Sequence, residues 1–415
     1  MSDHSRHEQW LVRLNNHLET ERYAAATVSR CLNSARHFLT DLAEQHVEVV
    51  DAHPTHVEHY LRQAQRRYRR RHGHSPGYKS WRCLQTDGIH MLLRLVQGQW
   101  PPVPATVTPT EIMQREVCEA YSGWMTNLCG RSPGTVSGHC GEARRFLDWL
   151  GESATRETLA TLTLVDVEDF MKDRAHVLCR SSLRRAASDI RGFLRWLHST
   201  GCTIHDLSST VVAPSLYAFA GIPSAVGAED VKKILAVTQK DCSQKGMRDY
   251  AILMLLSTYG MRAGEVTTLR LDDADWRHET IRIRHNKNGA TSYLPLLPEV
   301  GEAMLQYLQK SRPKTAFREV FIRCCAPYRP FKNGSNLGRL VRRRFEDAGV
   351  ITKGKRGPHT FRHARAVSML RVAVPLKEIG DLLGHRSADS TLVYLKLATE
   401  DLRAVAMDIP TEVKA

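Results

Sequence analysis

The chain has 415 residues, of which 42% are hydrophobic and 25% are charged, and its net charge is +15 at pH 7. This composition excludes a disordered chain, and the length predicts two or three domains. No apolar run approaches the roughly 20 residues that span a bilayer. The excess of Lys and Arg predicts a polyanionic partner, and nucleic acid is favoured over an anionic membrane because the sequence shows neither a basic amphipathic helix nor a lipidation signal.

The N-terminus and the cysteines set the expected compartment and chemistry. The first ten residues, MSDHSRHEQW, are polar and lack the apolar segment of a secretory signal, so we expect a cytoplasmic protein. The ten cysteines include no C-x-x-C pair, the spacing typical of structural zinc sites. We therefore predict free thiols and no metal site.

The first half of the chain contains an internal repeat. Segments 27–42 and 135–150 both read T-V-S and then A-R-x-F-L-x-x-L at the same spacing, with the apolar periodicity of a helix. Two further pairs follow in the same order: 56–61 with 166–171, and 87–96 with 188–197. Chance similarity between amphipathic helices is the alternative, but the shared order favours duplication of one all-helical unit of about 90 residues.

Prolines mark the boundaries of these units. Pro101, Pro102 and Pro104 interrupt helix formation, and a second stretch with prolines and glycines lies at 211–227. We predict four parts in chain order: a first helical unit at 1–105, a second at 112–205, a linker at 206–227, and a last domain with a C-terminal tail helix at 228–415.

The first unit carries a concentrated basic run, RRYRRRHGH, at 66–74. One interpretation is a solvated charged face. The other is contact with nucleic-acid phosphates, which the net charge and the interleaved Tyr68 support. The candidate phosphate contacts are Arg66, Arg67, Arg69, Arg70 and Arg71.

From residue 228 onward the pattern changes to helices with a small sheet. Residues 228–239 and 248–260 have helical apolar periodicity. Residues 280–296 alternate Ile with Arg, pass through an N-K-N-G turn and enter a second short strand, which predicts a β-hairpin with Lys287 at its tip. A further strand is expected at 320–323, with several helices after it. The predicted fold class is therefore mostly α and multidomain, with two all-helical N-terminal units followed by an α+β domain with a small β-sheet.

Four short islands in this last region carry reactive side chains. They are R-A-G-E with Arg262 and Glu265, the hairpin tip with Lys287, P-H-T-F-R-H with His359, Arg362 and His363, and L-G-H with His385, followed by Tyr394. Each residue alone is most simply an exposed polar group or, for Tyr394, a half-buried aromatic. Together they supply cations, imidazoles and a phenol, which are the parts needed to break a phosphodiester without a metal.

With these motifs in this order, the chain resembles the tyrosine recombinases, also called phage-type integrases. The resemblance to their catalytic domain covers about 228–400, and 112–205 resembles their core-binding domain with weaker motifs. Two features depart from the family pattern. Arg386 follows the Gly-His pair where many members have a small or hydroxyl residue, which makes it a candidate contact to the DNA backbone, and a further helical unit precedes the core-binding domain.

The resemblance implies a role for each motif residue. Arg262 and Arg362 hold the non-bridging oxygens of the scissile phosphate, and His385 adds a hydrogen bond to the same group. Tyr394 attacks the phosphorus and becomes joined to the 3′ phosphate. Lys287 protonates the leaving 5′ oxygen.

The remaining motif residues have supporting roles by the same resemblance. His359 matches the residue that accepts a proton and hydrogen-bonds the phosphate, Glu265 matches a carboxylate that steadies the site, and His363 is also a supporting residue. A phosphotyrosine linkage stores the broken bond, so strands can be rejoined without ATP. The absence of a G-x-x-x-x-G-K-[ST] loop fits this scheme, and no cofactor is implied.

The implied function is site-specific DNA recombination or integration, with a mobile element as the setting. The implied partners are double-stranded DNA sites, further copies of the chain in a tetramer on DNA, and accessory proteins, with no membrane; the location is the cytoplasm, at the nucleoid when DNA is bound. The apolar stripe of Leu402, Val405, Ala406 and Ile409 either docks on a neighbouring protomer or packs on its own domain. Two rivals remain, a type IB topoisomerase-like relaxing enzyme and a non-catalytic DNA-binding accessory protein.

Overall fold

The computed structural model describes residues 3–102, 108–216, 226–285, 289–332, 334–352, 354, 356–384 and 391. Within these ranges the chain is mostly α-helical with one small antiparallel sheet, in agreement with the predicted fold class at this level. No helix in the described ranges combines the length and the apolarity needed to cross a bilayer.

The helices of the first half are α1 Asp3–Thr20, α2 Ala25–Glu44, α3 Pro54–His72, α4 Tyr78–Gln97, α5 Pro109–Gly123, α6 Pro133–Leu150, α7 Arg156–Ala160, α8 Leu164–Val177 and α9 Arg180–Ser199. The second half contains α10 Ala228–Gln239, α11 Gln244–Thr258, α12 Ala263–Thr267, β1 Ala274–Asp275, β2 Thr280–Arg284, β3 Thr291–Pro295, α13 Pro298–Lys310, α14 Ser335–Asp347, α15 Pro358–Arg371 and α16 Leu376–Leu383. Shorter helical turns lie at Val49–Asp51, Trp124–Leu128, Gly151–Ser153, Ser208–Thr210 and Leu271–Asp273.

The segments that repeat in sequence lie on corresponding helices and bury corresponding positions. The matched segments of α2 and α6 each bury a Val, an Ala, a Phe and a Leu in the same order: Val28, Ala35, Phe38 and Leu39 in α2, and Val136, Ala143, Phe146 and Leu147 in α6. Phe38 meets Tyr60 of α3 edge to face with ring centroids 5.8 Å apart, and Phe146 meets Phe170 of α8 in the same arrangement at 5.1 Å. The two segments therefore pack in the same way, and the edge-to-face aromatic pair stabilises each of them.

Buried apolar side chains form separate clusters along the chain. One cluster extends from Leu11 to Trp100, a second from Met113 to Val211, a third from Val226 to Phe361, and a small fourth from Ala366 to Leu383. By spatial grouping, Val103–Ala220 forms one compact unit, and Met1–Pro102 with Gly221–Ala415 forms the other. The predicted four-part division of the chain stays a prediction.

Within the larger unit, the loop after α1 contacts the segment that follows α13. The Arg22 guanidinium donates to the carbonyl of Lys314 at 2.9 Å and lies over the ring of Tyr328, 5.2 Å from its centroid. Beside it, Glu21 forms an ion pair with Arg329. The loop after α1 therefore makes polar contacts with the segment between α13 and α14.

The small sheet confirms the predicted hairpin. Strands β2 and β3 pair antiparallel, from Thr280 opposite Pro295 to Arg284 opposite Thr291, and β1 adds to the other edge of β2. The prediction of a strand at 320–323 is wrong, because the described residues there form only one isolated bridge, between Ile322 and Pro330. A proline cannot donate a ladder hydrogen bond, so this pairing does not extend.

Truncation of one equivalent phenylalanine should loosen its own cluster and leave the other intact. Both side chains are fully buried, and Phe→Ala in a core costs about 3–5 kcal/mol. We expect Phe38→Ala to accelerate amide hydrogen exchange through α2, α3 and α4 without changing α5 to α9, and Phe146→Ala to do the reverse. Val12→Ala, at a residue that is 51% exposed, is the control. Acceleration across both clusters by either variant would contradict separate cores.

Candidate active site and nucleic-acid surface

Arg262 is the N-cap of the short helix α12, and Glu265 fixes its side chain. The Arg262 backbone N–H donates to Glu265 Oε2 at 2.7 Å, and its guanidinium Nη1 donates to Oε1 at 2.8 Å. Burial raises the pKa of the Glu265 carboxyl, but hydrogen bonds from His285 and from Arg262 outweigh burial and hold the pKa below its ordinary value. Glu265 is therefore an anion that sets the direction of Arg262.

The second predicted arginine meets the first at the end of α16. Arg362 lies on α15, is 3% exposed, and donates Nη1 to the carbonyl of Gly260 at 2.8 Å and Nη2 to the carbonyl of Leu383. Arg262 donates Nη2 to the next carbonyl, that of Gly384, at 3.0 Å. Two consecutive carbonyls at one helix end thus hold both guanidiniums, which are permanently charged and suited to binding phosphate.

Two glycines allow this convergence. Gly384 ends α16 in the left-handed conformation, with φ of 62°, and a Cβ there would lie 2.5 Å from the ring of His285. Gly260 has φ of 63°, and a Cβ there would lie 2.7 Å from a methyl group of Leu383. Glycine is the residue that fits both the backbone conformation and the space at these two positions. Gly260 and Gly384 therefore allow the two arginines to approach the same helix end.

The histidines of α15 lie one turn apart. His359 is exposed, and its ring stacks near that of His363 with centroids 6.2 Å apart. Burial, together with the positive charges of His359 and Arg362, lowers the pKa of His363 to about 4. His363 is therefore neutral at neutral pH, and in this part of the site Arg362 supplies a charge that does not depend on pH.

Several predicted residues lie outside the described residues: Lys287, His385, Arg386, Tyr394, and the tail stripe Leu402, Val405, Ala406 and Ile409. The structure brings together the R-A-G-E island, the P-H-T-F-R-H island and the first two residues of L-G-H. The base of the hairpin joins them, since His285 Nδ1 lies 2.9 Å from Glu265 Oε1. The His285 backbone N–H also donates to the carbonyl of Ala290 at 2.8 Å, across the tip that carries Lys287. Near the end of the described chain, Thr391 is buried beside Gly380 of α16.

Sequence reasoning missed His285. Its Nδ1 lies 2.9 Å from Glu265 Oε1, and its Nε2 lies 2.9 Å from the hydroxyl of Ser292 on β3. The signal was present in the alternation of β2, because Ile281 and Ile283 point inward and His285 takes the next inward position. A histidine on the buried face of a strand needs polar partners, and those partners form the site.

The described side chains suit the binding of an anion rather than a metal ion. Among them, no group of three His, Cys, Asp or Glu side chains is arranged to hold a metal. The arginine pair offers planar donor forks that match the oxygens of a phosphate, and imidazoles lie nearby.

A second charged feature, which we call the α3 basic surface, consists of two adjoining clefts of about 720 and 290 Å³ on the first helical segment. The larger cleft is lined by Arg30, Asn33, Ser34 and His37 of α2, Tyr60, Ala64, Arg67, Tyr68, Arg71 and His72 of α3, and Trp81 and Gln85 of α4; the smaller is lined by His59, Arg62, Gln63, Arg66, Arg67 and Arg70. Neither lining set includes an acidic residue. Of the five predicted phosphate contacts, four line these clefts, and Arg69 instead donates to the hydroxyl of Ser75 at 2.7 Å.

Comparisons with known proteins point to one family. Residues 225–401 match the family model described as the phage integrase family, and residues 119–201 match the model described as the N-terminal SAM-like domain of phage integrases. A Sinorhizobium fredii protein named as an integrase/recombinase is 55% identical over 195 residues, which is 47% of this chain and 100% of that protein. A second protein of that organism with the same kind of name is 37% identical over 298 residues, or 71% of each chain.

A solved structure shares the fold. The structure of a lambda integrase tetramer bound to a Holliday junction matches with a TM-score of 0.51 and 14% identity, and the match covers 77% of this chain and 88% of that one. At this identity the likeness concerns the fold alone.

Acid should destabilise the folded chain through His363. Its pKa is about 4 when folded against an ordinary value of 6.5, so between these values the unfolded state binds the additional proton. The stabilising contribution is complete above pH 6.5 and is lost as the pH falls toward 4. We expect the free energy of unfolding, from urea denaturation, to fall more steeply over this interval in the unaltered chain than in His363→Gln, with His205→Gln, at an exposed histidine, as the control. Equal slopes would contradict this assignment.

Proposed function

The chain belongs to the phage integrase family and is a tyrosine recombinase, an enzyme that cuts and rejoins DNA strands, and on that premise we propose that it recombines specific DNA sites for a mobile element. The observation that carries the proposal is the anchoring of Arg262 and Arg362 on the carbonyls of Gly384 and Leu383. This contact brings two cations to the residue that directly precedes His385, so three separate motifs contribute to one phosphate site.

The proposed reaction follows from the groups at this site. Arg262 and Arg362 hold the non-bridging oxygens, with His385 as a further donor, and stabilise the charge of the five-coordinate transition state. The Tyr394 oxygen forms a bond to phosphorus, the bond from phosphorus to the 5′ oxygen breaks, and that oxygen takes its proton from Lys287. Hydrogen bonds to charged groups contribute about 1.5–3 kcal/mol each, so loss of one guanidinium should slow cleavage by roughly 10- to 100-fold.

The supporting residues have separate tasks in this proposal. Glu265 steadies Arg262 through its two hydrogen bonds, and it holds a negative charge because its pKa is lowered. Exposed His359 takes the phenolic proton and hydrogen-bonds the phosphate. His363 is neutral beside Arg362 at neutral pH, so the positive charge at this position of the phosphate site comes from Arg362 alone.

The proposed partners are double-stranded DNA recombination sites and further copies of the chain in a tetramer. The lambda integrase neighbour is a tetramer on a Holliday junction, and a shared fold supports the same kind of assembly here. Accessory proteins are proposed partners as well, and the tail stripe Leu402, Val405, Ala406 and Ile409 is proposed to dock on the next protomer. A DNA substrate is the basis for proposing a cytoplasmic location at the nucleoid.

The first helical unit is proposed as a second DNA-gripping copy of the core-binding unit. Two observations support this role, namely the equivalent packing of Phe38 and Phe146 against aromatic partners and the α3 basic surface. Exposed arginines beside Tyr68 and Trp81, whose rings lie 6.2 Å apart, suit a phosphate backbone. Arg386 is proposed as a further backbone contact. The boundaries 1–105, 112–205, 206–227 and 228–415 belong to the same proposal.

Replacement of the proposed nucleophile should abolish the covalent intermediate. We expect the unaltered chain to form an adduct with DNA that carries the element ends, and the adduct to persist in denaturing electrophoresis. Tyr394→Phe removes the attacking oxygen and should form none while it still binds DNA, whereas Tyr293→Phe, at a tyrosine 68% exposed on β3, should behave as the unaltered chain. An adduct formed by Tyr394→Phe would contradict the assignment. Relaxation of a two-site plasmid without recombination would instead favour the topoisomerase-like rival.

Removal of the charges of the α3 basic surface should weaken DNA binding in a salt-dependent way. The triple change Arg66→Ala, Arg67→Ala and Arg70→Ala should flatten the plot of log affinity against log salt by about 0.9 per lost phosphate contact. The matched triple change to Lys retains the charges and should keep the slope of the unaltered chain. If the alanine variant also keeps that slope, the surface does not contact DNA.

A further inference from the structure

His285 contacts three parts of the proposed active site and has no role in the reaction as described so far. It is 3% exposed and directly follows β2, two residues before Lys287. We infer that His285 is a positioning residue that fixes the Lys287 hairpin against Arg262 and the Gly384 turn. This inference rests on the proposed function, because the role of Lys287 does.

The first contact joins His285 to the arginine pair. Its Nδ1 lies 2.9 Å from Glu265 Oε1, the same oxygen that accepts from Arg262 Nη1 at 2.8 Å. An ionised carboxylate only accepts hydrogen bonds, so the imidazole donates here. Glu265 is 1% exposed, so water contributes little to these contacts, and movement of His285 would be transmitted to Arg262 through one shared oxygen.

The second contact joins His285 to the far strand of the hairpin. Its Nε2 lies 2.9 Å from the hydroxyl of Ser292 on β3, and its backbone exchanges hydrogen bonds across the loop with Ala290 and Gly289 at 2.8 and 2.9 Å. The imidazole therefore ties both strands of the hairpin at the point where the described strand ends and the tip begins. A hairpin of two short strands has little stability of its own, so such a tie restricts its movement.

The third contact is steric. Gly384 packs so closely on the imidazole that a Cβ at this position would lie 2.5 Å from one ring atom and 2.6 Å from two others. The same glycine offers its carbonyl to Arg262 at 3.0 Å. His285 therefore fills the space between the hairpin and the turn that precedes His385, and it holds the two at a fixed separation.

These contacts matter because proton transfer to the leaving oxygen depends on distance. A displacement of about 1 Å in a reacting group can cost roughly 100-fold in rate. The two ring nitrogens of His285 make different contacts, Nδ1 with Glu265 and Nε2 with Ser292, and substitutions can remove these contacts separately. In His285→Asn the amide stands where Nδ1 stood and can still donate to Glu265, but it cannot reach Ser292. His285→Gln reaches further along the side chain and is the complementary variant.

The test measures single-turnover adduct formation on a nicked duplex that carries the cleavage site mapped by adduct sequencing. One duplex has the natural 5′ bridging oxygen at the scissile phosphate and the other has sulfur there. A thiolate leaves without protonation, so the sulfur duplex removes the need for Lys287 and leaves the need for the arginines. We expect His285→Asn to be roughly 10- to 100-fold slower on the oxygen duplex and near the unaltered rate on the sulfur duplex, as Lys287→Ala should be.

Two further variants keep the test decisive where a substitution at 285 prevents folding. Ser292→Ala removes only the contact to β3 and should reproduce the pattern of His285→Asn, while Thr291→Ala, exposed on the same strand, should match the unaltered chain. His285→Asn and Ser292→Ala at the unaltered rate, or slow on both duplexes with DNA binding intact, would overturn the inference. No adduct from the unaltered chain on either duplex would overturn the proposed function itself, and the role of His285 with it.

Discussion

The candidate site depends on two arginines that share one helix end. A buried cation is costly unless its donors find acceptors, and the last carbonyls of a helix are acceptors without partners in the helix itself. Arg362 and Arg262 donate hydrogen bonds to the carbonyls of Leu383 and Gly384, so the guanidinium donors and the carbonyl acceptors satisfy one another. The negative end of the α16 dipole adds to this attraction. The position of the L-G-H turn is therefore set by the arginines, and the position of the arginines by the turn.

Elements specified by local rules could be predicted from the sequence. The apolar period of the repeated segments predicts helices, and the buried Val, Ala, Phe and Leu of α2 and α6 occur at the repeated positions. The N-K-N-G turn between alternating strands predicts the hairpin, whose pairing is confirmed. By contrast, 320–323 has the composition of a strand, but a strand also needs a partner, and Pro330 allows only a single bridge. Strand pairing is a tertiary property that composition does not specify.

The candidate site could be predicted in its side chains but not in its anchors. Arg262, Glu265, His359, Arg362 and His363 follow from motif spacing, since residues three or four apart share a helix face. The acceptors that bring Arg262 and Arg362 together are backbone carbonyls, and every residue has one, so no sequence pattern marks them. His285 was detectable in principle, because it takes an inward position after two isoleucines, but its three partners come from α12, β3 and the end of α16. Only the fold brings these elements together.

The charges of the described site also limit what pH can control. Guanidinium groups stay protonated at any pH the protein tolerates, and the pKa values of Glu265 and His363 are both displaced downward. From about pH 6.5 upward these residues keep one protonation state, so the hydrogen bonds that hold Arg262 and Arg362 in place do not titrate. The pH dependence of strand cleavage then falls to the groups that move protons. A free phenol and a free amine have ordinary pKa values of about 10 and 10.4, so near neutrality a free amine is charged and a free phenol is almost fully protonated. In the proposed reaction, two fixed cations beside the phosphate would favour the phenolate, so the arginine pair would activate the attacking oxygen as well as hold the phosphate that it attacks.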